Sequence, residues 1–78
     1  MKVEIITPEA TLFTGEASLV ALPGADGALG ILNNHAPLIS SLGKGTVKIK
    51  DNNGKEMRFD VKGGTVEVNQ NKVIILAE

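Results

Sequence analysis

The sequence predicts an all-β domain: a flattened β-sandwich or barrel of about eight to ten short, mostly antiparallel strands. Three observations lead there. Fourteen Val and Ile residues and five Thr residues favour pleated, half-buried backbone over helix. Glycines and short polar clusters recur roughly every eight to twelve residues, the spacing of short strands joined by turns. No window long enough for a helix carries apolar residues at 3.6 spacing, so no helix is expected. With 78 residues the chain allows one domain, residues 1–78.

The clearest strands lie in the second half. Val47 and Ile49 alternate with Lys48 and Lys50, and Met57, Phe59 and Val61 alternate with Glu56, Arg58, Asp60 and Lys62. Period two with one apolar face means a sheet covered on one side. Asp51-Asn52-Asn53-Gly54 between them suits positive φ and closes a hairpin. In a second hairpin, Val66 and Val68 alternate with Thr65, Glu67 and Asn69, and Asn69-Gln70-Asn71 turns the chain into Val73-Ile74-Ile75-Leu76. That last run is apolar on both faces and reads as an interior strand. Gly63-Gly64 marks a bulge or tight bend between the hairpins. Val47, Ile49, Met57, Phe59, Val61, Val66 and Val68 are expected to face inward, and truncating a buried Phe59 to Ala to cost roughly 3–5 kcal/mol.

The first half is less regular. Val3 and Ile5 face inward on a first strand that Pro8 ends. Thr11-Leu12-Phe13 reads as a short strand, with Gly15 turning the chain into a strand from Ala17 to Leu22. The segment from Pro23 to Pro37 is glycine-spaced and lacks periodicity. Leu38, Ile39 and Leu42 suggest one more short strand.

Little of the composition serves catalysis. There is no Cys, which excludes disulfides and thiolate metal sites, and the single His35 excludes a His-rich metal site. No metal, cofactor or catalytic residue is expected. Eight Lys/Arg against nine Asp/Glu, without a basic run, argue against a nucleic-acid partner. Phe13 and Phe59 are the only aromatic residues, too few for base stacking. No apolar run is long enough to span a membrane, and Met1-Lys2-Val3-Glu4 does not open a secretory signal.

Gly24, Gly27 and Gly30 are spaced by three, unlike the dinucleotide fingerprint. Gly43-Lys44-Gly45-Thr46 shares part of a phosphate loop but lacks its upstream glycine and a following helix. His35 has Asp26, Ser40 and Ser41 near it in sequence but no nucleophile–base arrangement around it. A swinging-arm carrier of the biotinyl or lipoyl type is the alternative function, with Lys55 the candidate for modification. The neighbours Gly54 and Glu56 match neither carrier motif.

The segment Leu22-Pro23-Gly24-Ala25-Asp26-Gly27-Ala28-Leu29-Gly30-Ile31-Leu32-Asn33-Asn34-His35-Ala36-Pro37-Leu38-Ile39 closely resembles the signature of the epsilon subunit of F-type ATP synthase, called delta in mitochondria. That family reads Leu-Pro-Gly, then Gly-x-x-Gly, a short spacer, and His-Ala-Pro-Leu. Thr7 to Glu16, Gly63 to Val68 and Val73 to Glu78 are similar to its opening and closing segments, so the resemblance runs the whole chain in order.

The resemblance implies a β-sandwich in the central rotor stalk that joins the gamma subunit to the membrane rotor ring and does no chemistry itself. Carried over by position, the ring-facing residues are Asp26, Gly27, Ala28, Leu29, Asn33, Asn34 and His35, and the gamma-facing residues are Thr7, His35, Leu38 and Ser40. At least one of Leu29 and Ile31 is also a candidate for the core. Two departures stand out: Ala28 where members often carry an acid, and Asn33-Asn34 where the spacer is often Pro-Gly or Pro-Asn. The implied location is the cytoplasmic face of the bacterial inner membrane, held peripherally through the complex. Most members continue past the residues matching Leu76-Ala77-Glu78 into two helices that inhibit ATP hydrolysis and in some bind ATP. The chain is therefore read as a short form that does neither, since a domain of this size spans only about 30 Å.

Overall fold

A computed structural model describes residues 1–78. Nine strands fill the chain: β1 (Lys2–Ile6), β2 (Thr11–Glu16), β3 (Leu19–Gly24), β4 (Gly27–Leu32), β5 (Leu38–Leu42), β6 (Gly45–Lys50), β7 (Glu56–Val61), β8 (Gly64–Asn69) and β9 (Lys72–Ala77). There is no helix. The strand order is β2-β1-β9-β8-β5-β3-β6-β7, with β4 on the far side of β3. All pairs are antiparallel except β1 with β9. The sheet turns a corner at β5 and β3, which pair only at Gly24 and Leu42. The two halves then face each other as a sandwich, and its terminal strands β2 and β7 meet through the rings of Phe13 and Phe59.

Period two decides what lies inside. In the first half, Val3, Val73 and Val68 form one row across β1, β9 and β8, and Ile5, Ile75 and Val66 form the next. All six are 0–2% exposed. In the other half, Val20, Ile31, Val47 and Ile49 complete the core at 0–1% exposure. Every buried side chain is apolar, so burial acts on this core without a desolvated polar group to offset it.

The alternation in the second half holds. Val47, Ile49, Val61, Val66 and Val68 are buried, whereas Met57 and Phe59 face inward but stay half-buried because β7 is an edge strand. The Asp51–Lys55 connection closes the β6–β7 hairpin. One carboxylate oxygen of Asp51 accepts the Asn53 and Lys55 amides, each at 2.9 Å, and Gly54 takes φ +83°. β9 is an interior strand, as its apolar run suggests, but its outer face is open and Leu76 is 51% exposed.

Two features of the first half differ from expectation. Gly15 lies inside β2 rather than at a turn, paired with Val3 and with the Phe13 ring packed 3.0 Å from where a β-carbon would sit. The aperiodic segment after Pro23 contains a full strand, β4, whose inward residues Leu29 and Ile31 pair in register with Leu22 and Val20.

Candidate functional site

The candidate contact residues sit at the two ends of the sandwich. At one end the β3–β4 hairpin turns at Ala25 and Asp26, with Gly27 at φ +133°. The Ala25 amide donates to the Ser41 carbonyl at 2.9 Å, and the Gly43 amide to the Pro23 carbonyl at 2.7 Å, which ties this tip to β5. Asp26, Gly27 and Ala28 are exposed there, while Leu29 turns inward and is half-buried against the core. Ile31 is the fully buried member of that pair, at 1% exposure.

At the other end, the His35 amide donates to the Leu32 carbonyl at 3.2 Å and closes a turn with Asn34 at φ +61°. A positive φ at the third turn position favours Gly or Asn, and the second position accepts Pro. This geometry accounts for both the Pro-Gly or Pro-Asn spacer of the resembling family and the Asn at position 34. The Asn33 carboxamide oxygen accepts from the Met1 ammonium at 2.6 Å, which also donates to the Ala17 carbonyl at 3.0 Å. The Asn34 amide donates to the Asn71 side chain at 2.8 Å. The imidazole Nδ1 of His35 lies 2.7 Å from the Ala36 carbonyl oxygen, which can only accept, so the proton in that bond sits on Nδ1.

The candidate residues therefore do not form one loop. Asp26 and Ala28 are separated from Asn33, Asn34 and His35 by the length of β4, about 20 Å for six residues. Thr7, whose hydroxyl bonds both the amide and the carbonyl of Ala10 at 3.0 Å, lies in the β1–β2 turn at the Asp26 end. Leu38 and Ser40 occupy the core-facing row of β5 and are half-buried. Ile39 between them points out and is 77% exposed. With Leu76 and the half-buried Ile6 and Ile74, it makes the outer face of β5-β8-β9-β1 partly apolar. The signal for that face was the uninterrupted apolar run of β9.

The opposite outer face is polar. Pro23, Ala21 and Ala28 floor a shallow groove walled by Thr46, Lys48, Arg58 and Asp60. Arg58 bonds one carboxylate oxygen of Glu56 at 2.7 and 2.9 Å, and Lys48 approaches the other at 3.9 Å. The hydrogen bond from Arg58, followed by the charge of Lys48, holds the Glu56 carboxyl below its ordinary pKa. Lys55 is exposed in the β6–β7 loop.

The fold and the placement of these residues define a small β-sandwich domain that offers turns, open sheet faces and strand edges rather than an enclosed site. The chain belongs to the family described as ATP synthase, Delta/Epsilon chain, beta-sandwich domain, whose model matches residues 1–78. It is 44% identical over 78 residues to the ATP synthase epsilon chain of Brevibacillus brevis, covering all of this chain and 59% of that one. It is 45% identical over 78 residues to the ATP synthase epsilon chain of Bordetella petrii, covering 55% of it. The chain thus spans somewhat more than half the length of the curated relatives it matches. The fold is also that of a chain in the mitochondrial ATP synthase of Euglena gracilis (TM-score 0.90, 19% identity, 96% of this chain and 48% of that one). A chain of the Tetrahymena thermophila mitochondrial central stalk and c-ring has it as well (TM-score 0.84, 24% identity, 99% of this chain and 62% of that one).

Proposed function

We propose that this chain is a non-catalytic central-stalk subunit of a proton-translocating F-type ATP synthase, joining the gamma subunit to the membrane rotor ring. The observation that carries this reading is membership of the delta/epsilon sandwich family across every residue of the chain. The surfaces suit a coupling part. The Asp26–Ala28 tip is braced to β5 by two backbone bonds, so a force applied there passes into the sheet rather than bending a loop. The open face around Ile39 and Leu76 offers apolar area to gamma, to which Thr7 and His35 add contacts at its two ends. The ring is contacted by Asp26, Gly27 and Ala28, with Asn33, Asn34 and His35 at the far end of β4. Attachment to the membrane is peripheral, on the cytoplasmic face of a bacterial inner membrane.

Residues 1–78 by themselves neither suppress ATP hydrolysis nor bind ATP in this reading. The domain is 27 Å in its longest dimension, and on its polar outer face Lys48 and Arg58 both meet Glu56. Reconstitution with gamma and the ring tests the reading. Cysteine at Ala28 is expected to crosslink to ring loops, and cysteine at Ile39 to gamma. Absence of both crosslinks in an assembled, proton-pumping complex rejects the assignment.

A further inference from the structure

We propose that Glu67 receives a lysine or arginine side chain from the subunit that covers the outer face of β5-β8-β9-β1; this rests on the stalk reading above, in which that subunit is gamma. Glu67 sits in the middle of the apolar band on that face. Register places it directly between Ile39 of β5 and Ile74 of β9, with Glu4 of β1 beyond Ile74. These residues point outward, because Val66, Val68, Val73, Ile75, Val3 and Ile5 beside them on β8, β9 and β1 are buried, and Ile39 is 77% exposed. The β-carbons of directly opposed residues lie only about 5 Å apart, so a surface that covers Ile39 and Ile74 covers Glu67 as well.

Within this chain Glu67 has no counter-charge. The ion pairs are Lys48–Glu56, Arg58–Glu56 and Lys72–Glu4, the last at 3.4 Å, and Glu67 is in none of them. The outward charges of β2, β1, β9 and β8 are Lys2 and Lys72 against Glu16, Glu4 and Glu67. Lys2 lies opposite Glu16 and Lys72 bonds Glu4, so the Glu67 carboxylate is left over. In the free chain it is exposed and water holds its charge. A partner removes that water, and a carboxylate covered without a counter-charge is strongly unfavourable. A purely apolar partner therefore does not fit this face, whereas one that sets a cation against Glu67 does.

The local shape shows where the cation enters. Glu67 borders two shallow hollows. One lies towards β9, between Glu67, Lys72 and Ile74, and already holds the positive charge of Lys72. The other lies towards β5, where Pro37, Leu38 and Ile39 make an apolar wall. A lysine or arginine laid in the second hollow packs its methylene stem on Ile39 and Pro37 and brings its charged end to the Glu67 carboxylate. The pair also fixes the docking position. An apolar surface can slide over Ile39, Ile74 and Leu76 at little cost, whereas a single covered charge pair admits one register.

Binding kinetics of purified gamma with the unmodified chain and with Glu67 variants test this. Glu67 is exposed and unpaired, so Glu67→Gln and Glu67→Lys are expected to keep the urea midpoint of the unmodified chain. Glu67→Gln is expected to weaken gamma binding at least about thirtyfold, mainly through faster dissociation, and Glu67→Lys to weaken it further. Replacing one gamma lysine or arginine by Glu, among those within reach of the crosslink from cysteine at Ile39, is expected to restore binding to Glu67→Lys. Equal or tighter binding by Glu67→Gln overturns the proposal. A loss confined to the association rate and abolished by salt puts Glu67 at a wet rim and overturns it too, as does failure of every such charge reversal to restore Glu67→Lys. Each of these outcomes leaves the stalk reading standing. Failure of gamma to bind the unmodified chain at all removes both.

Discussion

The rings of Phe13 and Phe59 lie 5.9 Å apart at a tilt of 55°, joining the edge strand β2 of one half of the sandwich to the edge strand β7 of the other. Both rings are half-buried. They close the side opposite the β5–β3 corner, where no backbone bonds connect the two halves. Phe59→Ala loses the tilted pair and part of one side chain's burial, about 2 kcal/mol, rather than the 3–5 kcal/mol of a fully buried ring. Ile75→Ala, at 0% exposure in the centre of the core, is expected to cost more, about 3–4 kcal/mol. Urea denaturation of the two variants checks the order. A larger loss for Phe59 places the core nearer β7 than this fold does.

The Asn34–Asn71 bond gives a second test. Two residues in left-handed conformation, at φ +61° and +59°, are joined side chain to backbone across the β4–β5 and β8–β9 turns. Asn71→Ala loses the bond and puts into that conformation a residue without the short polar side chain that lets Asn adopt it, together about 2 kcal/mol. Asn71→Gly loses only the bond and is expected to cost about 1 kcal/mol or less. Both variants should speed amide exchange at Asn34. An unchanged Asn34 rate in either one shows that the bond does not hold the turn.

Gly64 and Gly30 separate backbone need from mere smallness. At Gly64, φ is +135° and an added β-carbon would overlap the Leu76 carbonyl, inside the β8–β9 ladder. Gly64→Ala is expected to cost about 3 kcal/mol or more. Gly30 has open space and an ordinary φ, so Gly30→Ala is expected to stay within about 0.5 kcal/mol. Thermal unfolding of the pair reads the contrast. Similar melting points refute it.

What could be read from the sequence follows the same physics. β6, β7 and β8 are legible because every outward position is polar, so Val47, Ile49 and Val66 stand out at period two. β4 is not. Its outward positions are Ala28, Gly30 and Leu32, so the apolar Leu32 hides the alternation of Leu29 and Ile31, and two glycines lower its strand propensity. Gly15 was read as a turn because a glycine inside a strand, under a neighbouring ring, looks in sequence like one required by φ. The parallel pairing of β1 with β9 joins residues some 70 positions apart, such as Lys2 and Lys72, and leaves no local mark. For the candidate site, the motif order marked its residues. The length of β4 set Asp26 and His35 at opposite ends, and a motif does not carry that distance.

The ion pair on the outer face yields the pH prediction. The Glu56 carboxyl is held below its ordinary value of 4.5, first by its hydrogen bond from Arg58 and then by the charge of Lys48. A carboxyl with a lower pKa folded than unfolded binds more protons in the unfolded chain. Its contribution to stability is therefore complete above the unfolded value and fades as pH falls through the folded one. Glu56 is exposed and solvent screens the pair, so the site itself, rather than global unfolding, is the sensitive readout. In an NMR titration, the Glu56 side-chain carboxyl carbon is expected to show a midpoint below 4.5, and Arg58→Gln to raise it towards 4.5. Lys48→Gln should raise it less, because Lys48 sits at 3.9 Å without the short bond that Arg58 makes at 2.7 Å. Added salt should shift the midpoint upward in the unmodified chain, since screening weakens both cations. A midpoint that does not move in Arg58→Gln would show that the Arg58–Glu56 bond is not kept in solution.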